Sequence, residues 1–333
     1  MQVTSDTLFH FTTSAKNLES ILSKKFQLTY CKETFTLDYQ SHDYFVPMVS
    51  FCDIPLSLAK NQIDKYGSYA IGMTKEWGIR NKLNPVVYIE KDSLLGIDVQ
   101  VSLDDTLTLM DVIHRMITSG SAIMKILEST KYFENQNNSI TKFTDKVNSI
   151  KGFKDEMEKR NAIKSLTEEL NSIKAFNENL KTYKTILGEY SGSITQLNKI
   201  LHDTADSKFY FFRYIKNYQG SLTRQGKINK NYRFYDEREW RYVPAISDKR
   251  VETLLNEEQY KKYRSASKMK PLIDKISLNF TSEDIKYLIV KSNKDIPKLI
   301  KSIQSIDNLT KNANDAAILT TKILTVEQLN TDF

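Results

Sequence analysis

Short apolar runs, each bounded by turn or capping residues, characterise the first hundred residues of the chain. Apolar runs of about four to eight residues predict buried β-strands. Between the first two, Ser14 suits the N-cap of a helix whose buried face is supplied by Leu18, Ile21 and Leu22. The predicted strands are residues 7–12, 45–51, 69–73 and 85–89.

The spacing of apolar residues becomes helical between residues 101 and 204. They recur there at intervals of three and four, which predicts a helical hairpin or coiled coil. With 14 acidic and 14 basic residues, this segment is electrically neutral. We therefore predict an all-α insertion that packs on itself or on a partner protein. The residues are Ile140, Phe143, Val147 and Ile150 on an earlier helix, and Ile163, Leu166, Leu170, Ile173, Phe176, Leu180, Tyr183 and Leu187 on a later one.

Strand-like patterns return after Asp206. The predicted strands are residues 208–214, 232–235, 236–243, 287–290 and 318–324, and a helix is predicted at 296–303. Strand-rich ends around a helical middle predict an α+β fold. In this prediction, residues 1–100 and 205–333 are two halves of one core with a mixed β-sheet, and residues 101–204 are a helical insertion.

The composition excludes several classes of protein. The 333 residues are 40% hydrophobic and 27% charged, so enough apolar side chains exist for a sizeable core. Glycine is scarce, and no glycine-rich phosphate-binding loop is present. Two cysteines and four dispersed histidines predict neither a disulfide framework nor a metal site. A polar N-terminus, and no run of about 18 apolar residues, predict a cytoplasmic protein that does not enter a membrane.

The positive charge is concentrated in residues 208–235, which we call the basic aromatic tract. It carries seven basic and nine aromatic residues without an acid, and its charge equals the +7 of the whole chain. Basic groups bind phosphates and aromatic rings stack on bases, so the tract predicts a nucleic-acid or phosphate site. The alternative is a sheet with an aromatic core face and a solvated basic face. The candidate residues are Arg213, Lys216, Arg224, Lys227, Lys230 and Arg233.

Two glutamates follow the tract directly. Glu237 and Glu239 are two residues apart, and on a strand this spacing points both side chains to the same face. A carboxylate beside a basic cleft can stabilise a developing cation or bind a ribose hydroxyl. The alternative is a salt bridge from these glutamates to Arg241 or Arg233.

Polar residues lie at the ends of several predicted strands. His10 ends the first strand, Ser50 lies near the end of the second, and residues 65–69 open the third. A cleft would gather such residues. The alternative for His10 is a hydrogen-bonded core residue.

Several segments together resemble the AbiGi family of bacterial abortive-infection proteins. They are residues 8–12, 17–22, 47–57, 65–78, 84–88, 235–243 and 322–329. The resemblance covers both ends of the chain and omits the helical middle. It implies a role in phage defence, usually as the antitoxin beside a nucleotidyltransferase-like toxin.

A more distant resemblance concerns ADP-ribosyltransferases of the DarT and diphtheria-toxin type. It rests on the first-strand motif His10-Phe-Thr12, the helix Asn17-Leu-Glu-Ser-Ile-Leu22 and a late glutamate. It implies an ADP-ribosyltransferase-like core with NAD as substrate. By this resemblance, His10 and Thr12 would hold NAD, Tyr66 or Tyr69 would stack on nicotinamide, Ser50 would steady the site, and Glu239 would be catalytic with Glu237 beside it.

Three hypotheses therefore remain open. The protein is an NAD-dependent ADP-ribosyltransferase with a nucleic-acid or protein acceptor. Alternatively, it is an antitoxin that binds a cognate toxin through its helical insertion, or it is a nucleic-acid binder without catalysis.

Overall fold

The computed structural model describes residues 5–37, 40–134, 145–149, 152, 154–224, 226–246, 253–265, 276–306, 309–310 and 312–332. The chain forms two compact units. One combines Met1–Ser102 with Phe209–Phe333 and is called the core unit; the other is Leu103–Lys208 and is called the helical unit. The core unit contains every named strand together with helices, so a mixed α/β core is confirmed.

The strands are all short except for one hairpin. They are β1 (Thr7–Thr12), β2 (Phe26–Gln27), β3 (Thr29–Leu37), β4 (Gln40–Cys52), β5 (Tyr69–Thr74), β6 (Asn84–Pro85), β7 (Val87–Ile89), β8 (Ile215–Asn217), β9 (Gln219–Arg224), β10 (Lys227–Arg233), β11 (Glu239–Tyr242), β12 (Ser277–Leu278), β13 (Ile285–Val290) and β14 (Ile323–Thr325).

The main sheet follows the order β14-β13-β5-β1-β4-β11-β6. Neighbouring strands are antiparallel, except that β13 and β14 run parallel. β3 pairs with the first part of β4, from Thr29 opposite Met48 to Leu37 opposite Gln40. Three further two-stranded pairs are β9 with β10, β2 with β12, and β7 with β8.

Strand β1 carries large apolar side chains on both of its faces, because both faces of the sheet are covered. Leu8 packs in the larger hydrophobic core with Leu18 and Leu22, whereas Phe9 packs in a second core that includes Ile63. Because successive strand side chains alternate between faces, one strand serves both cores.

The β4 strand brings the two halves of the core unit together. Cys52 lies opposite Phe9 of β1 and also opposite Glu239 of β11, and Ser50 lies opposite Arg241. Residues from either side of the helical unit thus become neighbours in one sheet.

Helices of the core unit are α1 (Ala15–Lys24), α2 (Lys60–Tyr66), α3 (Lys75–Arg80), α6 (Glu257–Ser265), α7 (Ile296–Gln304), α8 (Ala313–Thr320) and α9 (Val326–Asp332). The hydroxyl of Ser14 accepts a hydrogen bond from the N–H of Asn17, as its predicted capping role requires. The helix predicted at 296–303 is α7.

Two long helices, α4 (Leu94–Glu134) and α5 (Glu156–Phe212), supply most of the helical unit. The helical pattern predicted from Ile163 to Leu187 is confirmed by α5. Val147 lies in a helical segment at 145–149, whereas Ile140, Phe143 and Ile150 lie outside the described residues. In the described part of the chain, no helix has a stretch that is both long and apolar enough to cross a membrane.

The strand predicted at 208–214 was wrong, and those predicted at 232–235, 236–243 and 318–324 were wrong in part. Residues 208–212 end helix α5, and the following strand is only Ile215–Asn217. Residues 318–320 end α8, so the last strand is only β14. Residues 234–237 form a 3₁₀ turn before β11. Short apolar or aromatic runs fit a helix end as well as a strand, and local pattern does not separate the two.

We predict that Gly67→Ala destabilises the core unit. Gly67 has φ 116°, and an added Cβ would overlap the carbonyl of Thr12. The backbone strain alone costs about 1–3 kcal/mol. Urea denaturation of the full chain measures the loss.

Gly226→Ala is the matched control. Gly226 also has a positive φ of 75°, but nothing lies within 4 Å of its added Cβ. The expected loss is smaller, about 1 kcal/mol. Equal losses for both variants would contradict the role of the Thr12 contact.

Candidate functional site

A cavity of about 600 Å³ opens in the core unit beside the sheet. Its walls come from the end of β1, from α1, from the start of β3, from the end of β4 and from the segment around Glu237. Segments far apart in the chain thus meet here because β4 pairs with both β1 and β11. This volume is typical of small-molecule sites.

A buried ion cluster forms one wall of the cavity. We call it the carboxylate cluster, and its members are Glu33, Lys216, Glu237, Glu239 and Arg241. The Nε of Arg241 donates to Glu239 Oε1 at 2.7 Å, and its Nη2 donates to Glu33 at 2.7 Å and to Glu239 Oε2 at 3.1 Å. Lys216 Nζ donates to Glu239 at 2.7 Å and to Glu237 at 3.3 Å. Arg241 is completely buried, so its charge depends on these partners.

Tyrosine hydroxyls complete the cluster. Tyr66 donates to Glu237 Oε1, and burial together with the nearby charge of Glu237 raises the pKa of Tyr232. Tyr88 accepts the backbone N–H of Glu239 at 2.8 Å. The Nζ of Lys65 donates a hydrogen bond to the hydroxyl of Tyr232 at 3.1 Å. Both predicted catalytic carboxylates are therefore held in fixed positions.

Glu239, Lys216 and Arg241 remain ionised near neutral pH. Burial opposes the ionisation of Glu239, but the charges of Arg241 and Lys216 outweigh it and hold the pKa of Glu239 below its usual range. Burial also opposes the charge of Lys216, yet Glu239, Glu33 and Glu237 raise its pKa well above normal. Three carboxylates thus face two cations in direct contact.

The backbone that carries Glu237 and Glu239 differs from the single strand that the sequence predicted. Glu237 ends the 3₁₀ turn Phe234–Glu237, and Glu239 is the first residue of β11. Arg238 between them is in the left-handed conformation with φ 45°. The assumption that both lie on one strand is therefore wrong, although both carboxylates bind Lys216. Glu239 also forms the predicted alternative, a salt bridge to Arg241, and Arg233 pairs with Asp236 instead.

His10 lines the cavity and is packed in the core at the same time. Its Nδ1 donates to the carbonyl of Ser50 at 2.9 Å, and its ring contacts Phe26 and Phe51. Because a carbonyl only accepts, this bond places the proton on Nδ1. Burial lowers the pKa of His10, although the Ser50 carbonyl partly opposes this shift. The imidazole is therefore neutral, with Nε2 as a hydrogen-bond acceptor.

Eight of the predicted site residues line the cavity. These are His10, Thr12, Ser50, Tyr66, Lys216, Arg224, Glu237 and Glu239. Tyr69 does not, because it lies in β5 with its side chain in the larger hydrophobic core.

The basic aromatic tract does not form one surface. Arg213 is buried and donates to Thr253 at 2.6 Å, and Lys216 is held in the carboxylate cluster. Lys227 and Lys230 are exposed on β10, whereas Arg233 pairs with Asp236 at 2.8 Å. Four of the aromatic residues end helix α5. The prediction that the basic residues of this tract form one phosphate-binding site is therefore wrong.

Sequence analysis missed several residues of the site. Glu33 and Lys25 carry no motif, and Tyr88, although it lies in the family-like segment 84–88, was not predicted as a site residue; the roles of all three follow only from tertiary packing. Arg241 was considered only as a salt-bridge partner, yet it binds two glutamates and the carbonyl of Arg213. No group of three or more potential metal ligands with a suitable arrangement occurs among the described residues.

Together these features define a mixed α/β protein with a helical insertion and a ligand-sized cavity that is lined by a buried ion cluster. No solved structure matches the chain. The chain belongs to the AbiGi family of abortive phage resistance proteins: a family model described as "Putative abortive phage resistance protein AbiGi, antitoxin" matches residues 24–291.

A curated relative supports the same assignment. "Abortive phage resistance protein AbiGi" of Lactococcus lactis subsp. cremoris is 24% identical over 308 residues, which cover 87% of this chain and 90% of the relative. The resemblance to the AbiGi family is thus confirmed, while the resemblance to ADP-ribosyltransferases stays a prediction.

We predict that Glu239→Gln destabilises the protein in a pH-dependent manner. At pH 7 the change leaves Arg241 and Lys216 undercompensated, at a cost of about 3–5 kcal/mol. Because the pKa of Glu239 is lowered by folding, its contribution is complete above the unfolded pKa of about 4.3 and is lost as the pH falls further. Denaturation at pH 7 and at about pH 3 should therefore show a shrinking difference between variant and wild type.

Glu33→Gln serves as the control. Glu33 binds the same guanidinium, but its side chain is 18% exposed and Glu239 remains in place. A smaller loss is expected at pH 7. A difference between Glu239→Gln and wild type that does not change with pH would contradict the ion-pair explanation.

Proposed function

We propose that the protein is the antitoxin of an abortive phage-resistance pair and that it neutralises a cytoplasmic toxin by direct contact. The observation that carries this proposal is the family description, which applies over residues 24–291. The site geometry agrees with a non-catalytic role, because both candidate catalytic carboxylates are already bound by cations of the same chain.

The helical unit offers a surface for such a partner. Ile186, Leu197 and Ile200 of α5 are each more than two-fifths exposed. Leu197 follows Ile186 by eleven residues, about three helical turns, and Ile200 follows one turn later. All three therefore lie on one face of α5, and exposed apolar residues in a row are typical of interaction surfaces.

We predict that the triple variant Ile186→Ser, Leu197→Ser and Ile200→Ser loses protection. Apolar side chains at the centre of an interface contribute about 1 kcal/mol or more each, so affinity for the toxin should fall about 100-fold or more. Growth of cells that co-express the adjacent toxin gene, and direct binding to the purified toxin, measure this effect.

Matched controls separate this surface from general damage. Ile79→Ser with Ile318→Ser replaces isoleucines of the core unit that are even more exposed, and it should leave protection intact. Glu237→Gln should also protect, since the proposal assigns no catalysis to the cavity. Full protection by the triple variant would refute contact through this face.

A second candidate function, cleavage of NAD in the cavity, is favoured by a different observation. His10, Thr12, Ser50, Tyr66, Glu237 and Glu239 were selected by resemblance to ADP-ribosyltransferases, and all six line one cavity. The volume suits a nucleotide-sized ligand, and neutral His10 can accept a hydrogen bond from a ribose hydroxyl.

In this candidate the bond between the ribose C1′ and the nicotinamide nitrogen breaks. The electron pair leaves with nicotinamide, and positive charge develops on the ribose. A carboxylate that is ionised and fixed beside this carbon stabilises the charge. Glu239, with Glu237 beside it, has this role, and Tyr66 stacks on nicotinamide. A nucleophilic atom of the nucleic-acid or protein acceptor then bonds to C1′ and releases its proton to water. Arg224, Lys227 and Lys230 are exposed cations of the tract that could contact a nucleic acid in this candidate.

Release of nicotinamide from labelled NAD tests the second candidate. Glu239→Gln and Glu237→Gln should each lower the rate about 100-fold or more, while Glu33→Gln should retain most of it. Because Glu239→Gln is destabilising, its folding is checked by a melting curve, and Glu237→Gln provides the second measurement. No release by wild type with any lysate or nucleic acid would exclude this function.

A further inference from the structure

The ammonium group of Lys25 is an unexplained buried cation. Lys25 lines the cavity, and its Nζ is inaccessible to solvent and has no hydrogen-bond partner among the described residues. Buried charges in proteins are ordinarily paired, because an unpaired charge loses its hydration without compensation. An anionic group of a ligand in the cavity would supply such a partner.

The backbone at Lys25 supports a dedicated role for this side chain. Lys25 follows the last residue of α1 with φ 67°, in the left-handed region. Glycine is usual at this position of a helix end because other residues are strained there. A lysine in this conformation is an outlier of the kind that occurs at ligand sites.

The surroundings of Lys25 do not neutralise it. Its Nζ lies 4.4 Å from the centroid of the Phe280 ring, a weak cation–π contact. Asp284 favours its charge from a distance, but this carboxylate already binds Arg80 at 2.6 Å and the N–H and hydroxyl of Thr281. Burial lowers the pKa of Lys25, with Asp284 opposing the shift.

Other cations along the cavity are already engaged. Lys216 binds Glu237 and Glu239, and Lys32 binds Asp43 at 2.7 Å. Arg224 lies over the ring of Tyr66 at 5.3 Å. Arg224 is exposed to water whereas the Nζ of Lys25 is not, so Lys25 has the greater need for an anionic ligand.

We propose that the cavity binds a ligand that carries a phosphate or pyrophosphate group and that Lys25 is the residue that anchors this anion. The carboxylate cluster, on the same cavity, accepts hydrogen bonds from hydroxyl groups of the ligand. A phosphorylated sugar or nucleotide combines both groups. The inference deepens the NAD-cleavage candidate by adding a binding residue, but it requires only binding.

Calorimetric titration of the full chain with ADP-ribose and with inorganic pyrophosphate tests the proposal. Lys25→Met and Lys25→Gln should weaken both ligands about tenfold or more, because one charge-assisted hydrogen bond is lost. Lys25→Arg should restore much of the affinity. Lys24→Met, an exposed neighbour on the same helix, should bind as wild type. Glu237→Gln should weaken only ADP-ribose, which distinguishes a nucleotide ligand from a free anion.

The melting temperature distinguishes anion binding from a structural role. Without ligand, Lys25→Met should melt at the wild-type temperature or above, since a buried unpaired charge has been removed. Wild type that binds neither ligand, or variants that bind both as tightly as wild type, would overturn the proposal. NAD cleavage that does not depend on Lys25 would contradict the anchoring role of Lys25 but would leave the NAD-cleavage function in place. Binding of pyrophosphate without NAD cleavage would support the anchoring role and contradict the NAD-cleavage function.

Discussion

The ion pair between Glu239 and Arg241 is the interaction on which the core unit depends. Arg241 is completely buried and joins three parts of the chain: Glu33 on β3, the carbonyl of Arg213 after α5, and Glu239 on its own strand. A buried guanidinium without these acceptors is unfavourable by several kcal/mol, about 3–5 when one partner is removed. The segments before and after the helical unit are therefore coupled by charge as well as by the pairing of β4 with β11.

The same ion cluster limits what the cavity can do. A carboxylate that is bound by a lysine and an arginine is fixed and ionised, but much of its field is already neutralised. Fixed ionised groups suit binding and positioning, and they favour catalysis only where negative charge remains in excess. The two candidate functions do not exclude each other. The cavity lies in the core unit, whereas the proposed partner surface lies in the helical unit.

Site residues were predicted correctly where the prediction depended on local sequence pattern, and incorrectly where it depended on tertiary contacts. Tyr66 ends α2, and His10 and Ser50 lie within two residues of the ends of β1 and β4, and all three line one cavity. The prediction that Tyr69 lies in the site was wrong, because its position on β5 directs its side chain into the hydrophobic core. The predicted phosphate surface was wrong because Arg213 is buried and Lys216 is bound by glutamates. The charge counted along the chain does not show which side chains are buried.

The sequence by itself determined the organisation: strand-rich ends, a helical middle of neutral charge, and the membership of a phage-resistance family through motifs at both ends. These are properties of local periodicity and residue identity, which the chain carries without folding. Only the tertiary structure decided that Glu239 is paired, that Glu237 follows a 3₁₀ turn, and that the Nζ of Lys25 has no hydrogen-bond partner among the described residues. The physical reason is that burial and electrostatic partners are set by contacts between residues as far apart as Glu33 and Arg241, and no local pattern encodes them.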